Sequence, residues 1–248
     1  MNEDSFTPIQ KATNEALVRV LSRNLGLQDG YIVILRSINL AVKGDDALKM
    51  SLERLEVNLG PTEMDAEHYF LSILFLDLIS EIEIFFSRVI KAVITEHPKK
   101  IGSASFKLSD ILDSESVEEL VAKASDEYLN KLMYKKPMEY LLEMCDLLSI
   151  DVESLTEDWK AYVEAKARRD LGVHNRWACN ATYLRKLEEA GIATNAKVGI
   201  SMFPKYDDYV KGLLRQLAAL VSRIAEEVSA KYAQQATAGD SMPTAHRN

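Results

Sequence analysis

The feature that most constrains this chain is the apolar run from Tyr69 to Ile94. Phe70, Leu74, Leu78, Ile82, Phe85, Phe86, Val89, Ile90, Val93 and Ile94 recur every three or four residues, the period of a helix with one broad buried face. Thr62 with Asp65 three residues on reads as its N-terminal capping box, and His97-Pro98 as its end. At roughly 1.5 Å per residue such a helix exceeds about 50 Å, long enough to be the spine of the fold. Asp77, Glu81, Glu83 and Arg88 lie inside the run, so it does not read as membrane-spanning.

Composition extends the helical reading to the rest of the chain. With 47% apolar residues in 248, a core forms without metals or disulfides, and 10 Gly and 6 Pro are too few breakers for many short strands. An all-α bundle is expected. Thr7-Pro8 with Gln10 caps a helix whose apolar face reaches Gly26, and Ser116 with Glu119 opens another through about Tyr134. Pro137 starts a short helix through Leu148, Thr156 caps the next, and Asn180 to Ala190 forms one more before Gly191. Tyr206 to Tyr232 is a long amphipathic helix, after which 233–248 reads as a disordered tail. The YIVIL stretch at 31–35 fits a strand or a buried helix, slightly favouring the helix. We therefore expect an N-terminal helical extension over 1–60 and one helical domain over 61–232.

Cys145 and Cys179 have no short spacing and no CxxC partner, and the acidic N-terminus lacks an apolar signal core. A reducing, cytoplasmic setting without membrane association is expected. Charge is uneven. Residues 1–159 hold 16 Lys and Arg against 29 Asp and Glu, a balance of −13, whereas 160–231 hold 13 against 8, a balance of +5. A basic C-terminal third thus follows an acidic body, and it contains the chemistry-bearing residues.

Phosphate loops, dinucleotide motifs, nucleophile elbows and HExxH are absent from the sequence, and the nearest approach to a di-iron motif is a lone Asp65-x-x-His68. No metal and no cofactor is expected. Of four histidines, His246 lies in the tail, His97 at a helix end beside a proline and His68 in a first turn, all structural positions. His174 differs by its company. Arg168, Arg169, Asp170, His174, Asn175 and Arg176 fall within nine positions. On a helix Asp170 and His174 share a face, where the carboxylate can orient the imidazole, or the cluster is a solvated helix end. Arg169 lies about 140° round from His174, so the two converge poorly within one copy.

RRDLGVHN at 168–175 resembles the R-x4-6-H signature of HEPN domains, as Arg169-x4-His174 with a polar Asp170 after the arginine and Asn175 after the histidine. NATYL at 180–184 is similar to the N-x-x-YL segment that follows in many members, and the helices over 75–102 and 116–151 look like those that precede the motif. The resemblance covers roughly residues 66–232. It implies a helical bundle that dimerises so that two motifs face one cleft. It also implies a metal-independent endoribonuclease in which the 2'-OH attacks the adjacent phosphate, leaving a 2',3'-cyclic phosphate.

On that resemblance Arg169, His174 and Asp170 are the catalytic candidates. His174 would shuttle protons, Arg169 would hold the pentavalent phosphorane, and Asp170 would orient His174. Asn175, Arg168, Arg176 and Trp177 would bind substrate. RNA, a second copy of the chain and an antitoxin or regulatory protein are the implied partners, in a toxin-antitoxin or antiviral setting. Arg176 and Trp177 replace the small glycines of many relatives, and Trp177 reads either as a base-stacking platform or as core. Several branches of the superfamily keep the bundle without cleaving RNA, so a non-catalytic module binding RNA or a protein is the alternative.

Overall fold

A computed structural model of the chain describes residues 6–59, 65–102 and 114–239. Among these residues the fold is all-α: eight α-helices, no strand, and one isolated bridge between Ala178 and Ser201. No helix among them is long and apolar enough to cross a membrane.

The spine is α3 (Ala66–Glu96), and it begins later than the sequence suggests. Asp65 is itself the N-cap, its carboxylate accepting from the His68 amide at 2.8 Å, while Thr62 lies outside the described residues. Phe75, Ile79, Ile82, Phe86, Val89, Ile90 and Val93 are fully buried along its core face. Around it pack α1 (Pro8–Val42), α4 (Val117–Met133), α5 (Pro137–Leu148) and α6 (Thr156–Asn175). The short α2 (Asp46–Leu59) follows α1, α7 (Ala181–Glu189) follows the motif, and α8 (Lys211–Gly239) closes the bundle against α1 and α6. α8 continues past Tyr232, where the sequence reading ends the helix, to Gly239.

α1 shows what tertiary packing adds. Its expected capping box is present, Thr7 Oγ1 accepting from the Gln10 amide at 3.2 Å and Gln10 Oε1 from the Thr7 amide at 2.9 Å. The helix then passes through Gly26 and the YIVIL stretch without a break. A mid-helix glycine costs only about 1 kcal/mol relative to alanine. That cost is offset by burial of Leu27 and Tyr31 and by the Asn24 amide donating to the Leu214 carbonyl at 2.8 Å. Ile9, Ala16, Val20, Leu27 and Tyr31 belong to the same core cluster as α3 and α8, so α1 is built into the bundle that the sequence places beside it.

Two local features set up the motif helix. Thr156 is the first residue of α6 and not its cap, since its hydroxyl donates backward to the Val152 carbonyl at 3.0 Å. At the other end Arg176 and Trp177 both take left-handed backbone, φ 49° and 63°, which turns the chain sharply after Asn175.

Candidate functional site

Arg168 and Arg169 are consecutive on α6 and so point about 100° apart, each toward its own carboxylate. Arg168 reaches Glu164 one turn back, Nε to Oε1 at 2.8 Å, and donates to the Met202 carbonyl at 3.1 Å. Its guanidinium lies 3.8 Å from the centre of the Tyr209 ring. Glu164 also accepts from the Tyr183 hydroxyl at 2.6 Å and from the Tyr209 hydroxyl. Burial and the adjacent Glu164 charge hold both phenols well above their ordinary range. Burial works against the Arg168 charge, but the Tyr209 and Glu164 oxygens outweigh it and raise its pKa. Arg168 thus ties α6 to the loop at 202 and to the turn at 206–210 before α8, with Tyr183 of α7 on the same carboxylate, and is not an arm free to hold an RNA backbone.

Arg169 turns to α3. Its Nη2 donates to Glu83 Oε2 at 2.6 Å, and Lys166 meets the other oxygen of the same carboxylate. Arg169 Nη1 lies 3.5 Å from Asp170 Oδ1, and Asp170 Oδ2 accepts from Lys186 of α7 at 2.8 Å. The network runs Lys166, Glu83, Arg169, Asp170, Lys186 across three helices. Two buried polar atoms next to it lack a hydrogen-bond partner: Arg169 Nε and the Tyr162 hydroxyl. Each such atom costs on the order of 1–3 kcal/mol unless something meets it.

The expected coupling of Asp170 to His174 is not made. Asp170 is engaged by Lys186 and Arg169, whereas the His174 ring is exposed on the last turn of α6 with no hydrogen bond or ion pair among the described residues. One turn is enough helical proximity for contact, but two nearby cations outcompete a solvated imidazole for a carboxylate. Asn175 is likewise occupied, its Nδ2 donating to the Ala178 carbonyl at 2.6 Å to close the turn after α6. Arg176 is exposed. Val173, beside His174, is 53% exposed, an apolar side chain on an otherwise polar helix end.

Trp177 resolves to the core reading. It is 4% exposed and packs edge-on against Phe75 and Phe203, with ring centres at 5.8 and 5.5 Å, so it cannot stack on a base. It also explains Gly172 in the motif. A Cβ there would come within 2.5 Å of the Trp177 ring, so only glycine admits the indole against α6. The following segment is anchored to the same place, the Met202 amide donating to the Trp177 carbonyl at 2.7 Å and the Cys179 amide to the Ile200 carbonyl at 2.8 Å. Asn180 caps α7 through the residue-183 amide at 2.9 Å and the Tyr183 hydroxyl bonds Glu164, a structural reason for both residues of the N-x-x-Y pattern.

Glu83, Glu164, Tyr162 and Lys186 escape the sequence reading. A signal for Glu83 was present, since a carboxylate on the most apolar helix of the chain must find a cation or stay in water. The other histidines are structural: His68 Nδ1 lies 2.7 Å from Asp65 Oδ1, and His97 stacks on Tyr232 at 5.3 Å. His246 lies outside the described residues. Among the described residues no three His, Cys, Asp or Glu side chains gather as metal ligands. Comparison with protein-family models, curated proteins and solved structures finds no match to this chain.

Proposed function

We propose that this chain is a metal-independent endoribonuclease whose site is completed by a second copy of itself. The observation that carries the reading is the contrast within one helix: Arg169 is fixed by Glu83, while His174 stands exposed and uncommitted. Two such helix ends facing each other across a two-fold axis would place an exposed imidazole of one copy opposite a fixed cation of the other. His174 would take the proton from the ribose 2'-OH as that oxygen attacks the phosphorus. The 5'-oxygen would leave taking that proton back from the His174 imidazolium, giving a 2',3'-cyclic phosphate and a 5'-hydroxyl end. Arg169 would hold the negative charge of the phosphorane. Exposed Val173 supports association at this helix end, and exposed Arg176 gives it positive charge. Such an enzyme would require an antitoxin or regulatory protein to restrain it.

A second reading has its own observation. Arg169 and Asp170 are both held in ion pairs that join α3, α6 and α7, which favours the same bundle as a non-catalytic module binding RNA or a protein. Incubation of the full chain with end-labelled single-stranded and structured RNAs in excess EDTA separates the two. Cleavage to cyclic phosphate that disappears in both His174→Ala and Arg169→Ala supports the nuclease. Retention of RNA without cleavage, unaffected by His174→Ala, supports the binding module.

A further inference from the structure

Beside the Glu83 network lies a cavity of about 300 Å³, bounded by the α4–α5 turn, α5, α6 and α7. That is the lower end of the range for small-molecule sites. Its wall is aromatic: Tyr140 meets Trp159 edge-on at 5.2 Å, and Trp159 packs on Tyr162 at 4.9 Å. Its rim is cationic, with Lys135, Lys136, Lys166, Arg185 and Lys186 against a single carboxylate, Glu189.

Most of these cations are engaged: Lys135 with Glu143, Lys166 with Glu83, Lys186 with Asp170 and Arg185 with Glu189. Lys136 is exposed and has no ion pair among the described residues. Tyr134, at the same rim, is 92% exposed and Met133 is exposed beside it, two large apolar groups left in water at the mouth of an aromatic cavity. Inside, the Tyr162 hydroxyl is buried with nothing to bond. A larger concavity of about 540 Å³ beside Glu164 offers no such group, because no buried side-chain nitrogen or oxygen among its lining residues lacks a partner.

We propose that the cavity formed by Tyr140, Trp159 and Tyr162 beneath Lys136 and Lys186 binds a small aromatic acid, its ring against the aromatic wall and its phosphate or carboxylate at the rim lysines. The ring covers the apolar surface of Met133 and Tyr134 that water now touches at the mouth, and the acid group pairs with Lys136. This site stands apart from the ribonuclease reading, since none of His174, Arg169 or RNA enters it.

The test is calorimetric titration of the full chain with 1-naphthyl phosphate, beside 1-naphthol and inorganic phosphate. Saturable binding at one site per chain is expected, with each fragment weaker by about tenfold, because ring and anion contribute separately. Lys136→Glu should weaken 1-naphthyl phosphate by about fivefold, the scale of one solvent-facing ion pair. Arg215→Glu, an equal charge change at an exposed position of α8, should leave it unchanged. Equal binding of 1-naphthol, equal loss in Arg215→Glu, or no saturation overturns the proposal. So does binding of an RNA oligonucleotide, but not of 1-naphthyl phosphate, that depends on Lys136.

Discussion

Glu164 and Glu83 are two carboxylates gripped by adjacent arginines of one helix, and they are buried to nearly the same degree. The Glu164 and Arg168 side chains keep 15% and 13% exposure, the Glu83 and Arg169 side chains 19% and 22%. Burial therefore does not distinguish them. Satisfaction does: around Glu164 two phenols, a guanidinium and a backbone carbonyl close every bond, whereas beside Glu83 Arg169 Nε and Tyr162 Oη are left over. A closed network stabilises the fold. An incompletely satisfied one, bordering a cavity and an exposed histidine, is where a ligand or substrate has something to gain.

The sharpest way to break this contrast is at the closed side. Trp177→Ala should cost about 3–5 kcal/mol in urea unfolding, as for other buried aromatics. Gly172→Ala should cost about 1–3 kcal/mol in the native background, from overpacking against the indole, and clearly less once Trp177 is alanine. Equal cost of Gly172→Ala in both backgrounds would remove the packing account of that glycine.

Glu164→Gln should destabilise by about 3 kcal/mol, because a buried guanidinium loses its counter-charge and two phenols lose a charged acceptor. Glu83→Gln should cost less, about 1–2 kcal/mol, since Arg169 keeps a second carboxylate, Asp170, at 3.5 Å. If the two substitutions cost the same, the Glu83 network is as structural as its neighbour and the functional distinction fails.

A smaller effect concerns a third carboxylate, Glu81, two residues before Glu83 and so about 200° round α3, where it is buried. The Arg19 guanidinium, bonded at 2.5 and 2.8 Å, holds its carboxyl below the usual range against the opposing effect of burial. A carboxyl with a lowered folded pKa stabilises above its unfolded value, near 4.3, and loses that contribution as pH falls through the folded value. The urea midpoint should therefore drop on acidification below about pH 4.3, and the drop should be shallower in Glu81→Gln. An unchanged acid slope in that variant would assign the drop to other carboxyls.

The smallest expected signal is chemical. Burial, with Glu227 and Asp151 nearby, pushes the Cys145 thiol up to about 12, and burial raises Cys179 as well. With so little thiolate at pH 8, neither should react with a disulfide reagent in the native state, and both should do so in denaturant. Rapid labelling of Cys179 alone would show that the turn after α6 opens readily, loosening the side of the molecule held here to be closed.

The helices were legible because their code is local. Apolar residues at helical spacing mark α3, and Thr7 and Ser116 are caps in the structure as in the sequence. Where local code misleads, the cause is tertiary. Gly26 ends the apparent pattern of α1, but Leu27 and Tyr31 find the core, so the helix continues. The candidate site was only half legible: RRDLGVHN marks a charged stretch at the end of α6, but not which carboxylate takes which cation.

By itself the sequence determined an all-α fold, a long apolar spine, most helix starts and the helix that carries Arg169, Asp170 and His174, because periodicity and capping depend on neighbours within a few residues. Tertiary structure alone decided that Asp170 serves Lys186 and not His174, that Arg169 answers to Glu83 some 86 positions away, and that Trp177 is core. A cation chooses its carboxylate by distance and shared desolvation, and those are set only when separate helices meet.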